Sequence, residues 1–319
     1  MALRFAILTI VLCFVNSINC QTCCSGGIPL SNNVGLVFSE KDKLLLGFSY
    51  DYNNLNTLKN ENETIDDNSR LRTTHSILLN VGYAINTKLT TEALMTWVNQ
   101  RRIINQLDSE NIDQTYGIGD AIALVKYSVW ANYNLNVGLG VKIPLGSSTE
   151  TNDQGITLNA DLQPGSNAWD IIYLINASKA FNFRPTMVFS SRVIYRQTGE
   201  NDTYLNNSNY KFGNELQIYL NVSDQYIIKN SFLNPGLTFK FRNASKDKVQ
   251  GFDLPNTGGN WLFAIPNFSI NLFQNIVFNA ALELPLYSKP DGIQLTPTYR
   301  LTSGFLLKLF NKPQAVTIN

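Results

Sequence analysis

The 319-residue chain is poor in histidine, cysteine and charge, and each scarcity excludes something. His75 is the single histidine, so a Ser-His-Asp triad or a histidine-rich metal site has one possible centre. The four cysteines, Cys13, Cys20, Cys23 and Cys24, all lie near the start. None is left to staple the body, which excludes a small secreted disulfide scaffold. Cys23 and Cys24 lack the second ligand pair of a structural metal site. Charged residues make up 15% of the chain and the net charge is +1, so nothing favours nucleic acid as a partner. Gly117-Ile118-Gly119-Asp120 is glycine-rich but lacks the phosphate-loop pattern, and the acids show no calcium-loop spacing. No catalytic residue, cofactor or metal is assigned. Beyond the first segment there is also no apolar run long enough for a spanning helix.

That first segment reads as a signal peptide. Arg4 supplies the positive start, Phe5–Val15 the apolar stretch, and Asn16, Ser17 and Asn19 the polar end. The stretch is too short to cross a bilayer as a helix. Ser17, Ile18 and Asn19 before Cys20 make a poor lipoprotein box. The expected organisation is a signal peptide over 1–20, a short segment over 21–42, a barrel over 43–310 and a tail over 311–319.

What the chain does have is alternation. In Asn132–Gly146, Tyr133, Leu135, Val137, Leu139, Val141, Ile143 and Leu145 are apolar, and small or polar residues separate them. Period two means a strand with one apolar and one polar face. The run exceeds the roughly 9–11 residues that a tilted strand needs to cross a bilayer. Similar runs recur from Leu44–Asn54 to Thr296–Phe310. They make about twelve strands, an even number, as bacterial outer-membrane barrels have. Long polar stretches such as Thr57–Arg72 and Arg101–Thr115 read as loops and alternate with short turns such as Asn86-Thr87-Lys88. The fold class is therefore an all-β transmembrane antiparallel up-and-down barrel, with long extracellular loops and short periplasmic turns. Trp97, Trp130, Trp169 and Trp261 fall near the ends of these runs and read as interface girdles.

Several stretches carry a family resemblance. They are Cys23-Cys24-Ser25-Gly26-Gly27, LLLGFSYDYNNLN from Leu44, GIGDAIALVKY from Gly117 and LGVKIPLGSS from Leu139. GITLNADLQPGSNAWD from Gly155, YKFGNELQIYL from Tyr210 and NTGGNWLF from Asn256 join them. Together they resemble Bacteroidetes-type outer-membrane barrels grouped as "MetA-pathway of phenol degradation" transporter-like proteins. The resemblance implies passage of small, even aromatic, molecules across the outer membrane. Its motifs are structural, and no substrate residue carries over.

The functional expectation is a passive channel for small, hydrophobic or aromatic solutes. The alternatives are a structural or surface-interaction barrel with ligand-binding loops and, further off, an outer-membrane lipid hydrolase. Partners are membrane lipid, small solutes and the barrel-assembly machinery. The inward faces are assigned Asp51, Glu92, Asp120, Lys126, Lys142, Arg192, Arg196, Lys211, Glu215, Lys240, Glu283 and Lys308 as lumen-lining residues. A charge facing lipid at mid-depth costs about 2–4 kcal/mol, so these belong inside. On this register Leu139 should reject arginine, and Lys142 should tolerate glutamine. His75 and Ser76 are adjacent and point to opposite faces, so they cannot form a hydrolase dyad, although Ser49 could still reach the ring.

Overall fold

The computed structural model describes residues 43–106, 109–205, 208–229 and 231–310. The proposed signal peptide, the four cysteines and the tail lie outside them. Twelve long antiparallel strands close into a barrel. They are β1 (Lys43–Asn60), β2 (Arg70–Ala84), β3 (Leu89–Gln106) and β4 (Ala121–Trp130). Then come β5 (Leu135–Ile143), β6 (Asp170–Phe181), β7 (Arg184–Gln197) and β8 (Glu215–Ser223). The last four are β9 (Ser231–Ala244), β10 (Gly259–Phe273), β11 (Ile276–Pro290) and β12 (Ile293–Phe310). Each pairs with its sequence neighbours, and β1 pairs β12 from Lys43↔Phe310 to Asn60↔Ile293. Closure leaves no ladder edge in lipid, where each unsatisfied backbone group costs several kcal/mol.

The alternation decides which face is which. Phe48, Leu79, Met95, Val125, Leu139, Tyr173, Phe239 and Phe305 stand exposed on the outer wall. Their in-line neighbours Ser49, Leu78, Leu94, Leu124, Lys126 and Lys240 are buried inside it. An exposed apolar belt around a closed sheet is stable only against hydrocarbon. The protein is thus an outer-membrane barrel.

Two polar stretches differ from the expectation. Thr57–Arg72 is not all loop: β1 runs on to Asn60 and folds back through Glu63–Ile65. Likewise β3 continues to Gln106 and pairs with Ser109–Ile118. Above the membrane both faces of a strand are wet, so the ladder continues without an apolar face to announce it. Beyond the rim, Asn201–Tyr204, Ser208–Lys211, Lys248–Val249 and Phe252–Asp253 form a separate small sheet. It packs Tyr204, Tyr210 and Phe212 over Ala160.

The girdle reading holds for Trp130 and Trp169, which are exposed at strand ends. Trp97 is exposed but mid-strand, because β3 is longer than its alternating part. Trp261 is a correction: it is fully buried inside the barrel, with the Arg242 guanidinium 4.7 Å from its ring. On β10 the apolar residues Trp261, Phe263 and Ile265 face in, so this strand is apolar on its inner face as well as its outer one.

Candidate functional site

The barrel interior has three levels. The outermost is built on the stretch between β5 and β6, which enters the barrel instead of arching over it. Residues Leu158 and Ala160–Ser166 are mostly buried there, with a 3-10 turn at Ala160–Leu162. Arg72 on β2 holds the turn by an ion pair to Asp161 at 2.7 Å and a hydrogen bond to its carbonyl. Gln100 Nε2 donates to the carbonyls of Leu162 and Gln163, each at 3.2 Å, and Thr115 donates to Leu162 O. The segment then passes the wall in backbone contact. A Cβ on Gly165 would lie 2.4 Å from Gly146 O, so only glycine fits.

Around this plug the charges are paired. Lys142 bridges Asp120 at 3.1 Å and Asp170 at 3.0 Å, and donates to Ser166. Asp120 in turn accepts from the Ser166 backbone and hydroxyl. Glu215 is clasped between Arg196 at 2.9 Å and Arg242 at 2.6 Å. Arg102 pairs Asp113 at 2.7 Å.

The middle level is an apolar collar of Leu78, Leu94, Ile122, Leu124, Ile172, Leu174 and Ile194, with Tyr219 at its lower edge. At the same height lie Lys126–Glu92 at 3.0 Å, Lys240–Glu283 at 3.0 Å and Arg300–Asp51 at 2.8 Å. Arg192 Nε donates to Asn176 Oδ1 at 3.0 Å.

Below the collar, toward the short turns, the lumen opens into a cavity of about 370 Å³. Asn136, Asn176, Asn221, Asn267 and Asn279 line it, with Ser178, Ser190 and Thr238 between them.

Eleven of the twelve assigned charges lie on barrel strands or, for Asp120, at the mouth of β4. Nine of them, Asp51, Glu92, Asp120, Lys126, Lys142, Arg196, Glu215, Lys240 and Glu283, sit in ion pairs. Arg192 roofs the cavity, and Lys308 is half-buried near the turn end, opposite Leu45. Lys211 is a correction. It lies on the small outer sheet, half-exposed and 3.7 Å from Glu200. Phe212-Gly213-Asn214 interrupts the run, so β8 starts only at Glu215.

Alternation did not point to Arg72, Asp161, Asp170 or Arg242. Asp161 lies in a stretch without periodicity, and Arg72 stands where a loop was expected. The one signal was the stretch from Gly155 to Asp170, which carried the resemblance.

His75 faces outward. The Tyr50 hydroxyl lies 2.6 Å from its Nδ1, and the Tyr52 ring packs at 5.0 Å. Ser49 and Ser76 are buried on the opposite face. The strand pleat therefore parts the histidine from both serines.

Fold and interior together define a closed outer-membrane β-barrel with an occluded outer half. The chain belongs to the family described as "Putative MetA-pathway of phenol degradation", whose model matches residues 44–270. It is similar in structure to an outer membrane channel from Pseudomonas putida F1, with 13% identity and a TM-score of 0.67. That likeness covers 86% of this chain and 100% of the other. It is also similar to the β-domain of the Bordetella autotransporter BrkA, at 9% identity and a TM-score of 0.51, covering 84% and 100%. At these identities the likeness is one of fold. No curated protein matches the sequence.

Proposed function

We propose that the protein is a passive outer-membrane channel for small solutes, hydrophobic or aromatic ones among them, and not an enzyme. The observation that carries this reading is the cavity below the collar: space kept open inside a wall that otherwise fills itself with side chains. Small barrels usually pack their interiors, so a retained void of this size asks for an occupant. The structurally similar Pseudomonas protein is itself described as a channel, which supports the reading. In this proposal Asp51, Glu92, Asp120, Lys126, Lys142, Arg192, Arg196, Glu215, Lys240, Glu283 and Lys308 line the route. The plug would have to shift for passage. Residues 1–20 would direct export, and the barrel-assembly machinery would insert the chain.

The filled outer half favours a second reading, a structural or surface-interaction barrel whose loops bind partners. Single-channel recording on the refolded protein in planar bilayers separates the two. Discrete conductance steps support the channel. A silent bilayer with folded, inserted protein overturns it.

A further inference from the structure

The amides that line the cavity below the collar spend most of their N–H groups on the wall itself. Asn267 Nδ2 donates to the Ile265 carbonyl at 2.9 Å and to Thr238 Oγ1 at 3.1 Å, which uses both of its hydrogens. Asn221 Nδ2 donates to the same hydroxyl at 2.7 Å. Asn136 Nδ2 donates to the Asn134 carbonyl at 2.7 Å, and Asn234 Nδ2 to Ser269 Oγ at 3.2 Å.

The oxygens are left to the cavity. Among the described residues, nothing donates to the side-chain oxygens of Asn221 and Asn267, and the Asn279 amide makes no side-chain hydrogen bond. All three residues are half-buried, and their oxygens stay open to water. Gly236 makes room for two of these amides: a Cβ there would lie 2.7 Å from Asn267 Oδ1 and 3.2 Å from Asn221 Nδ2. Charge does not choose the occupant. Arg192, the charged residue among those lining the cavity, donates from Nε to Asn176 Oδ1 at 3.0 Å and lies in the field of the Glu92 carboxylate. A wall of accessible, uncharged acceptors suits an occupant that brings hydroxyl donors and no charge, because each donor meets an oxygen and no ion has to shed its water.

We propose that this cavity is a binding subsite for a small, uncharged, polyhydroxylated ring, of the size and chemistry of a monosaccharide or cyclitol. Its hydroxyls donate to the amide oxygens of Asn221, Asn267 and Asn279. A volume of about 370 Å³ admits one such ring. This rests on the channel reading and adds one class of solute to it.

The test compares myo-inositol with dioxane. Both are uncharged, water-soluble rings; the first carries hydroxyl donors and the second has oxygen acceptors alone. Titration of the full chain in detergent, followed by saturation-transfer NMR, should show inositol binding about tenfold tighter, as one or two net hydrogen bonds predict. Asn279→Leu breaks no side-chain hydrogen bond among the described residues and removes an acceptor. It should weaken inositol about fivefold and leave dioxane unchanged, and Asn221→Leu should do the same. Equal affinities in the parent, no binding of inositol, or unchanged inositol affinity in both variants would each overturn the subsite. Conductance of the same preparation separates the two claims. Current without inositol preference sinks the subsite alone, and preference without current sinks the channel alone.

Discussion

The outer and inner halves of the lumen are made from the same alternating strands, yet they solve opposite problems. Above the collar, charge is set against charge: Lys142 between Asp120 and Asp170, and Glu215 between Arg196 and Arg242. Below it, asparagine and serine surround empty space. Buried charges need partners with good geometry, so they fix whatever they touch. Neutral amides are satisfied by water at little cost, so they can border a void that fills and empties. Charge is used here to hold a segment still, and amides to keep room.

The contrast predicts unequal responses to mutation. The largest loss should follow Glu215→Ala, which removes the carboxylate that Arg196 and Arg242 share. Breaking a buried pair from one side costs about 3–5 kcal/mol. Urea titration of the refolded barrel, followed by its heat-modifiable gel shift, should show this as a much lower midpoint. An unchanged midpoint would mean that water reaches the outer half freely.

Lys142→Gln comes next, at about 3 kcal/mol, because it leaves Asp120 and Asp170 facing each other without their cation. The alternation alone suggests a tolerant position; the two ion pairs say otherwise. Near-parental stability in the same titration would restore the simpler view.

Asp161→Asn should loosen the plug without unfolding the wall. It weakens the Arg72 contact by about 1–3 kcal/mol, the scale of a hydrogen bond to a charged group. Faster proteolysis near Asn159 and a raised open probability are expected. Identical proteolysis in parent and variant would show that the loop is held by its backbone alone.

A smaller effect involves the sheet above the plug. Asp247 accepts from the Tyr210 hydroxyl at 2.6 Å and the Gly213 amide at 2.7 Å. Burial raises its pKa from 3.8 to about 6. A carboxyl raised in the folded state stabilises fully below its unfolded value and loses that contribution as pH rises through its folded value. The outer sheet should therefore hold best in mild acid and loosen between about pH 4 and 6. Hydrogen exchange at the Gly213 amide would report it, and Asp247→Asn should flatten the profile. A parent already flat across that range would remove Asp247 from the account.

The least effect is expected in the inner half. Asn279→Ser borders the void and should change stability by less than about 0.5 kcal/mol. A loss comparable to that of Glu215→Ala would mean that the two halves are not different in kind.

How much of this was legible follows from periodicity. Leu139 and Lys142 fall on opposite faces by simple counting, and twelve such runs imply a barrel. His75 and Ser76 separate by the same rule. Alternation fails where both faces meet water, as at Asn60 and Gln106, and where the inner face is itself apolar, as at Trp261. It also cannot see the plug, because Asp161 sits in a segment with no period. Its place is set by Arg72, far away in sequence. The partners of the inward charges were equally hidden, since a strand pattern gives the face of a side chain but not the residue across from it.

The β1–β12 seam has a consequence for how the chain reaches this state. It joins the two strands farthest apart in sequence, along the whole of both. Chain entropy must be spent before those contacts return anything, so topologies of this kind fold slowly. Every other neighbour in the wall can form as a local hairpin. The seam should therefore zip last, and until then the sheet carries two exposed templates for pairing with another chain. A machine that shields those edges would act on time rather than on stability: it would shorten the interval in which the protein can polymerise with its own kind.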